Sequence, residues 1–144
     1  MEVELTFYRD LARGKQLEEE VLYMVKAKYP SAYIKDGYYK EWDIFVPEVG
    51  VGIEVKSDEK SKYTGNIVIE IEFDGKPSAL STTKADYWVI YDGYQFNWFR
   101  PSKIRECIKR NNLQIARFIG KGDDKYKLAY LIKKELLYNY CEKR

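Results

Sequence analysis

Three charged residues interrupt an otherwise strand-like stretch, WDIFVPEVGVGIEVK over residues 42–56: Asp43, Glu54 and Lys56. Two carboxylates held close together repel one another, and one pKa rises unless a positive group lies between them. A divalent cation is the usual solution, and magnesium suits two carboxylates completed by waters. A lysine two residues beyond the glutamate then holds or helps deprotonate a bound water, or steadies a charged phosphate. These are the tasks of metal-assisted phosphodiester hydrolysis.

The elements that must position these groups are two strands and a turn. In the second strand Val51, Ile53 and Val55 share one face while Gly52, Glu54 and Lys56 share the other, so a two-residue period sets carboxylate and ammonium side by side, with Gly52 expected to leave open space beside them. In the first strand Asp43 and Phe45 share a face, opposite Ile44 and Val46. Pro47, Glu48, Val49 and Gly50 have turn composition, and pairing across that turn brings Asp43 near Glu54. The alternative is a wet hairpin face decorated with charge, although this face offers no threonines or further lysines.

An Asp, a gap of ten residues and then Glu-x-Lys resembles the PD-(D/E)XK nuclease superfamily. The resemblance implies a restriction-endonuclease-like αβββαβ core with a central mixed sheet, spanning roughly residues 15 to 91, followed by C-terminal α/β additions. It implies that Asp43 and Glu54 are metal ligands, that the backbone carbonyl of Val55 is a further ligand, that Lys56 is the catalytic lysine, and that the ion is Mg²⁺ or Mn²⁺. Trp42 stands where the superfamily's name places a proline. Many members, Holliday-junction resolvases among them, carry a glutamate on the first helix that joins the metal site, and Glu20 is the position that resembles it.

Composition narrows the chemistry further. The 144 residues fit one domain, 1–144, with 45% hydrophobic residues and 14 tyrosines. There is no histidine, which excludes Ser-His-Asp and Cys-His catalysis, and Cys107 and Cys141 are too far apart in sequence to suggest a zinc site. No run reaches the length of a membrane span, and MEVELTFYRD lacks the basic-then-apolar order of a secretory signal, so a cytoplasmic protein without membrane attachment is expected. The net charge of +2 divides into +8 from Arg100 onward and −6 before it. An acidic metal-binding part beside a basic part suits the gripping of phosphates, though charged helices also serve solubility.

Along the chain, residues 2–8 alternate weakly and read as an edge strand or a disordered start. Residues 14–28 carry a helical stripe of Leu17, Val21, Met24 and Lys28, with Val25 beside it and Glu20 adjoining, ended by Tyr29-Pro30. Strands are expected at 32–35 and 40–46 around a turn at Asp36-Gly37, and at 52–56. After a polar loop, residues 66–73 alternate most cleanly, with Glu70 and Glu72 on one face as wet-face residues or a further carboxylate for the site. Residues 76–86 read as one or two helical turns or a plain connecting loop whose Thr and Lys residues suit a phosphate-binding wall. A strand at 86–91, a two-residue hairpin turn at Asp92-Gly93 and a strand at 94–100 follow. Tyr94, Phe96 and Trp98 on that strand form either core or a stacking platform for bases. A helix from Pro101, strands at 113–120 and 125–132 about a turn at 120–124, and a closing helix complete the reading.

The expectation is therefore a DNA-cleaving endonuclease, structure-directed or of low sequence specificity, acting as a monomer or a homodimer. The alternatives are a nucleic-acid-binding module that keeps the nuclease fold without cutting, and an assembly protein that binds neither metal nor DNA.

Overall fold

A computed structural model describes residues 2–37, 40–119 and 124–142, with side chains from residue 8 onward. The turn expected at 120–124 lies outside the described residues except for Asp124, as do Tyr38 and Tyr39 and the last two residues.

The chain opens with a 25-residue helix, α1 (Glu2–Lys26). The strand or disordered start expected at 2–8 is instead its first two turns. Four alternating residues fit a helix as well as a strand, and nothing between them and Gly14 punctuates the chain, so the helix propagates at about one residue per added hydrogen bond. Leu17, Val21 and Val25 form its buried stripe. Its end comes two residues before the expected Lys28, with the Val25 carbonyl accepting from the N–H groups of Lys28 and Tyr29 ahead of Pro30.

Strands β1 (Tyr33–Ile34), β2 (Ile44–Val46) and β3 (Val51–Ser57) follow as an antiparallel meander. Then β6 (Tyr87–Tyr91) lies parallel to β3, and β7 (Phe96–Phe99) pairs antiparallel with β6. The result is a mixed five-stranded sheet in the order β1-β2-β3-β6-β7. The crossover from β3 to β6 contains a short helix α2 (Ser61–Thr64), the strands β4 (Asn66–Phe73) and β5 (Lys76–Pro77), and a 3-10 turn at Ala79–Ser81. Asp92 shapes the β6–β7 loop as a four-residue connection rather than a two-residue turn. Its Oδ1 accepts from the N–H groups of Tyr94 and Gln95, both at 2.8 Å, and Tyr138 donates to its Oδ2 at 2.7 Å.

Past α3 (Pro101–Arg110), β8 (Ile115–Ile119) and β9 (Tyr126–Lys133) pair with each other as expected. Less expectedly, β9 also pairs along nearly the whole of β4, giving a second, antiparallel sheet β5-β4-β9-β8. A four-residue helix, α4 (Lys134–Leu137), and a 3-10 turn at Tyr138–Tyr140 complete the described fold.

Two cores result, one on each face of the five-stranded sheet. Val21 and Val25 of α1 pack on Ile44, Val46, Ile53 and Val89. On the other face Trp88, Ile90 and Phe99 pack against Ile67, Ile69 and Ile132 of the second sheet and Ile104 of α3. Phe96 and Trp98 border the first core and only Tyr94 of that row is largely exposed, at 73%, so the row is core margin rather than a continuous platform. Among the described residues no helix is long and apolar enough to cross a membrane.

Candidate active site

The hairpin that carries the three charged residues forms as its sequence dictates. Ile44 pairs with Ile53 and Val46 with Val51, and Gly50, at φ +64°, supplies the left-handed backbone that the turn needs. Val51, Ile53 and Val55 contribute to the α1-side core. By the two-residue period, Gly52, Glu54 and Lys56 share the opposite face with Phe45 and Asp43.

Asp43 stands where β2 and β3 begin to part. Its backbone N–H donates to the Ile53 carbonyl at 2.9 Å and its carbonyl accepts from Lys35 at 2.8 Å. Two residues further along β3 the Asp43 side chain takes the acceptor's place: Oδ2 accepts the Val55 N–H at 2.7 Å. Gly52 directs its carbonyl to the β6 side, where Asp86 N–H donates to it. Val55, three residues on and of opposite parity, therefore directs both N–H and C=O to the Asp43 side. Asp43 and Glu54 thus lie on one face of the hairpin, near enough for the Asp43 charge to act on Glu54.

Glu54 is the least satisfied charge in this group. Its Oε2 is buried without a hydrogen-bond donor. The ammonium of Lys56 stands 3.2 Å away and is its charge partner. Burial raises the Glu54 pKa above the ordinary carboxylate value, Lys56 opposes that rise, and the Asp43 charge adds to it. Lys56 is 40% exposed, its ammonium 5.1 Å from the centroid of the Trp88 ring.

Two neighbours that the sequence reading did not single out complete the cluster. Lys40 Nζ lies 2.9 Å from Asp43 Oδ1 and 3.5 Å from Glu18 Oε1. Burial and repulsion from Asp43 push the Glu18 carboxyl up, against the pull of Lys40. Burial draws the Lys40 pKa down, but Asp43 and Glu18 together outweigh it and the net shift is upward.

Glu18, rather than Glu20, is therefore the α1 carboxylate beside the hairpin. Glu20 is exposed, and its charge is felt at Arg13 instead. The buried stripe explains the exchange. With Val25 inside and Met24 37% exposed, the stripe centres near Val21. At about 100° per residue, Glu18 falls about 60° from that centre on the hairpin's side and Glu20 about 100° away on the other flank.

Gly52 does not leave open space: the Trp42 ring lies directly over it, and a Cβ there would come within 2.7 Å of Trp42 Cγ. Trp42 also stacks on Phe45, with centroids 5.5 Å apart, so the indole fills the space expected to be open.

Glu70 and Glu72 do not face together. A bulge at Ile71 shifts the register so that Glu70 opposes Ala129 while Glu72 opposes the adjacent Leu128, and adjacent residues point to opposite faces. Glu70 accepts from Ser78 Oγ at 2.8 Å and pairs with Lys127 at 3.6 Å. Glu72 is directed instead to the Tyr126 hydroxyl.

Two clefts meet at Lys56 and Glu70. One, of about 350 Å³, runs past Lys40, Glu54, Thr82, Thr83 and Lys84. The other, of about 420 Å³, runs past Lys60, Trp88, Phe118 and Lys127. Thr83 is already committed, accepting from Trp88 Nε1 and Ala85 N–H, so the wall it forms is structural first. A larger groove of about 770 Å³ lies between the end of α1 and Trp98, away from the converging carboxylates.

The candidate ligands here are the carboxylate oxygens of Asp43 and Glu54, each with a lysine ammonium beside it. Among the described residues no three Asp, Glu, His or Cys side chains gather closely enough to enclose a metal ion. Two carboxylates are nonetheless the donor type that suits a magnesium-like ion, which keeps several of its waters and demands few protein ligands. No protein-family model, no curated protein and no solved structure gives a significant match to the chain.

Proposed function

We propose that this chain is a Mg²⁺- or Mn²⁺-dependent endonuclease that hydrolyses DNA phosphodiester bonds, built on a restriction-endonuclease-like core. The observation that carries the proposal is the placement of Asp43 and Glu54 on one hairpin face, with Asp43 Oδ2 holding the Val55 N–H and the Lys56 ammonium 3.2 Å from the buried Glu54 Oε2. The element order supports it too: α1, the meander β1-β2-β3, then β6 parallel to β3 follows the αβββαβ plan, with α2, β4, β5 and a 3-10 turn in place of the single crossover helix.

Asp43, Glu54 and the Val55 carbonyl are the residues to hold the ion, and Glu18 takes the part expected of Glu20, bordering the site from α1. When bound, the ion supplies Lewis-acid stabilisation of the charge that builds on the phosphate. Lys56, reaching into both clefts, holds the attacking water or a phosphate oxygen. Asp43 ties the β2–β3 fork through the Val55 N–H, and Trp42 covers Gly52.

The test is a panel of labelled single-stranded, duplex, flap and four-way DNA, with an RNA strand, in Mn²⁺. The wild-type chain is expected to cut at least one of these. Lys56→Ala and Asp43→Asn are each expected to cut at least ~10²-fold more slowly, the scale of losing one preorganised charge-stabilising group. Asparagine is preferred at 43 because alanine also strips the Val55 N–H of its acceptor, at about 1–3 kcal/mol. Cleavage at the wild-type rate by both variants removes the proposal. One observation favours a second reading, the binding module that does not cut: Lys40 and Lys56 already stand beside Asp43 and Glu54. That reading requires DNA binding indifferent to EDTA and no products with any divalent ion.

A further inference from the structure

We infer that Lys40 is a built-in counter-ion occupying the cation's place beside Asp43, and that a divalent ion binds by expelling it; the inference rests on the metal-dependent reading above. Asp43 has two carboxylate oxygens. Oδ2 is spent on the Val55 N–H, so Oδ1 is the one left to face an ion, and Lys40 Nζ sits 2.9 Å from it.

Charge counting points the same way. Glu18, Asp43 and Glu54 together with Lys40 and Lys56 carry a net formal charge of −1. Adding a divalent ion to that set makes it +1, with two cations crowded on one oxygen. Replacing Lys40 by the ion leaves the set neutral. In a partly buried cluster, where charges a few ångströms apart are poorly screened, the neutral arrangement is the favoured one.

Lys40 is also built to leave. It lies outside any helix or strand and borders the 350 Å³ cleft, and lysine is a point charge on a flexible four-carbon stem. Until the ion arrives, Lys40 offsets the repulsion between Glu18 and Asp43 and preserves the fork. The cost is affinity, since the ion must compete with a tethered ammonium.

Isothermal titration of Mn²⁺ into the wild type, Lys40→Met, Lys40→Arg and Asp43→Asn tests this directly. Lys40→Met is expected to bind Mn²⁺ at least ~10-fold more tightly than the wild type, for a coupling of about 1.4 kcal/mol or more. Lys40→Arg is expected to stay near the wild type, and Asp43→Asn to lose the site. Should Lys40→Met fold poorly, Mg²⁺ added to wild-type protein with ¹³C-labelled lysine ε-carbons gives the same information, because the Lys40 resonance must move toward that of a free lysine. Asp43-dependent binding that is no tighter in Lys40→Met, or a Lys40 resonance unmoved at saturating Mg²⁺, overturns the role of Lys40 and leaves metal dependence standing. No Asp43-dependent binding in either the wild type or Lys40→Met overturns both.

Discussion

A carboxylate that is largely buried and has one oxygen without a donor is costly to ionise, and Glu54 is such a group. Burial lifts its folded-state pKa, repulsion from Asp43 lifts it further, and Lys56 recovers only part of the difference. A raised folded value means that the folded chain holds this proton more tightly than the unfolded chain does. The resulting stability is present in full below the ordinary value of 4.5 and is lost as pH rises through the folded value. At neutral pH that stability is therefore diminished in the absence of an added cation. Glu54→Gln should melt at a higher temperature than the wild type at neutral pH, with the difference vanishing toward pH 4, as thermal denaturation at several pH values in EDTA will record. A glutamine variant less stable at pH 7 means that Lys56 already compensates the charge. Spacing alone brought Asp43, Glu54 and Lys56 to one face, because a two-residue period and a four-residue turn leave few registers. It missed Lys40 and misplaced the α1 carboxylate. Which of Glu18 and Glu20 faces the hairpin depends on a rotation of the stripe by a few tens of degrees, decided by whether Met24 or Val25 is buried, and both are equally apolar in sequence.

At the scale of elements, the hairpin depends on an indole laid across a glycine. Any side chain at position 52 must displace Trp42, whose Cγ would be 2.7 Å from the new Cβ, and Trp42 is held in turn by Phe45. Gly52→Ala should cost about 1–3 kcal/mol, the range for overpacking a well-filled site. Trp42→Leu relieves the overlap, so the double variant should be less destabilised than the sum of the two single ones, and denaturant titrations of the four proteins measure the coupling. Additive losses mean that the two residues do not meet. Glycine between Val51 and Ile53 was visible in the sequence, but whether it faced a ligand or a packed ring was not, since either demands the same missing Cβ. The pairing of β4 with β9 was hidden for a different reason: alternation marks both strands, yet nothing local says which strand, some sixty residues away, each will take as partner. The bulge at Ile71 was equally silent and reversed the face expected of Glu72.

Across the whole molecule, the division of charge acquires a location. The part of the chain from Arg100 onward carries +8 and the remainder −6, and the second sheet is where they meet, because β9 from the basic part lies along β4 from the acidic part. Lys127 of β9 consequently borders the same 420 Å³ cleft as Lys56 and Lys60, with its ammonium 5.7 Å from the centroid of the Phe118 ring. A phosphate backbone that reaches Lys56 from this side passes Lys60 and Lys127, and each phosphate neutralised releases counterions. The logarithm of affinity for a single strand then falls with the logarithm of salt by about 0.7 per contact. Lys127→Ala and Lys60→Ala should each weaken binding and lower that slope by about 0.7 to 1, whereas Arg110→Ala, whose side chain is 70% exposed on α3, should leave it unchanged. The measurement is fluorescence anisotropy of a labelled oligonucleotide in EDTA from 50 to 200 mM salt, a range over which several contacts change affinity by orders of magnitude. EDTA keeps the strand intact and separates grip from cleavage. Equal slopes for the wild type, Lys60→Ala and Lys127→Ala would place the strand elsewhere on the surface and leave the basic second sheet as solubilising charge.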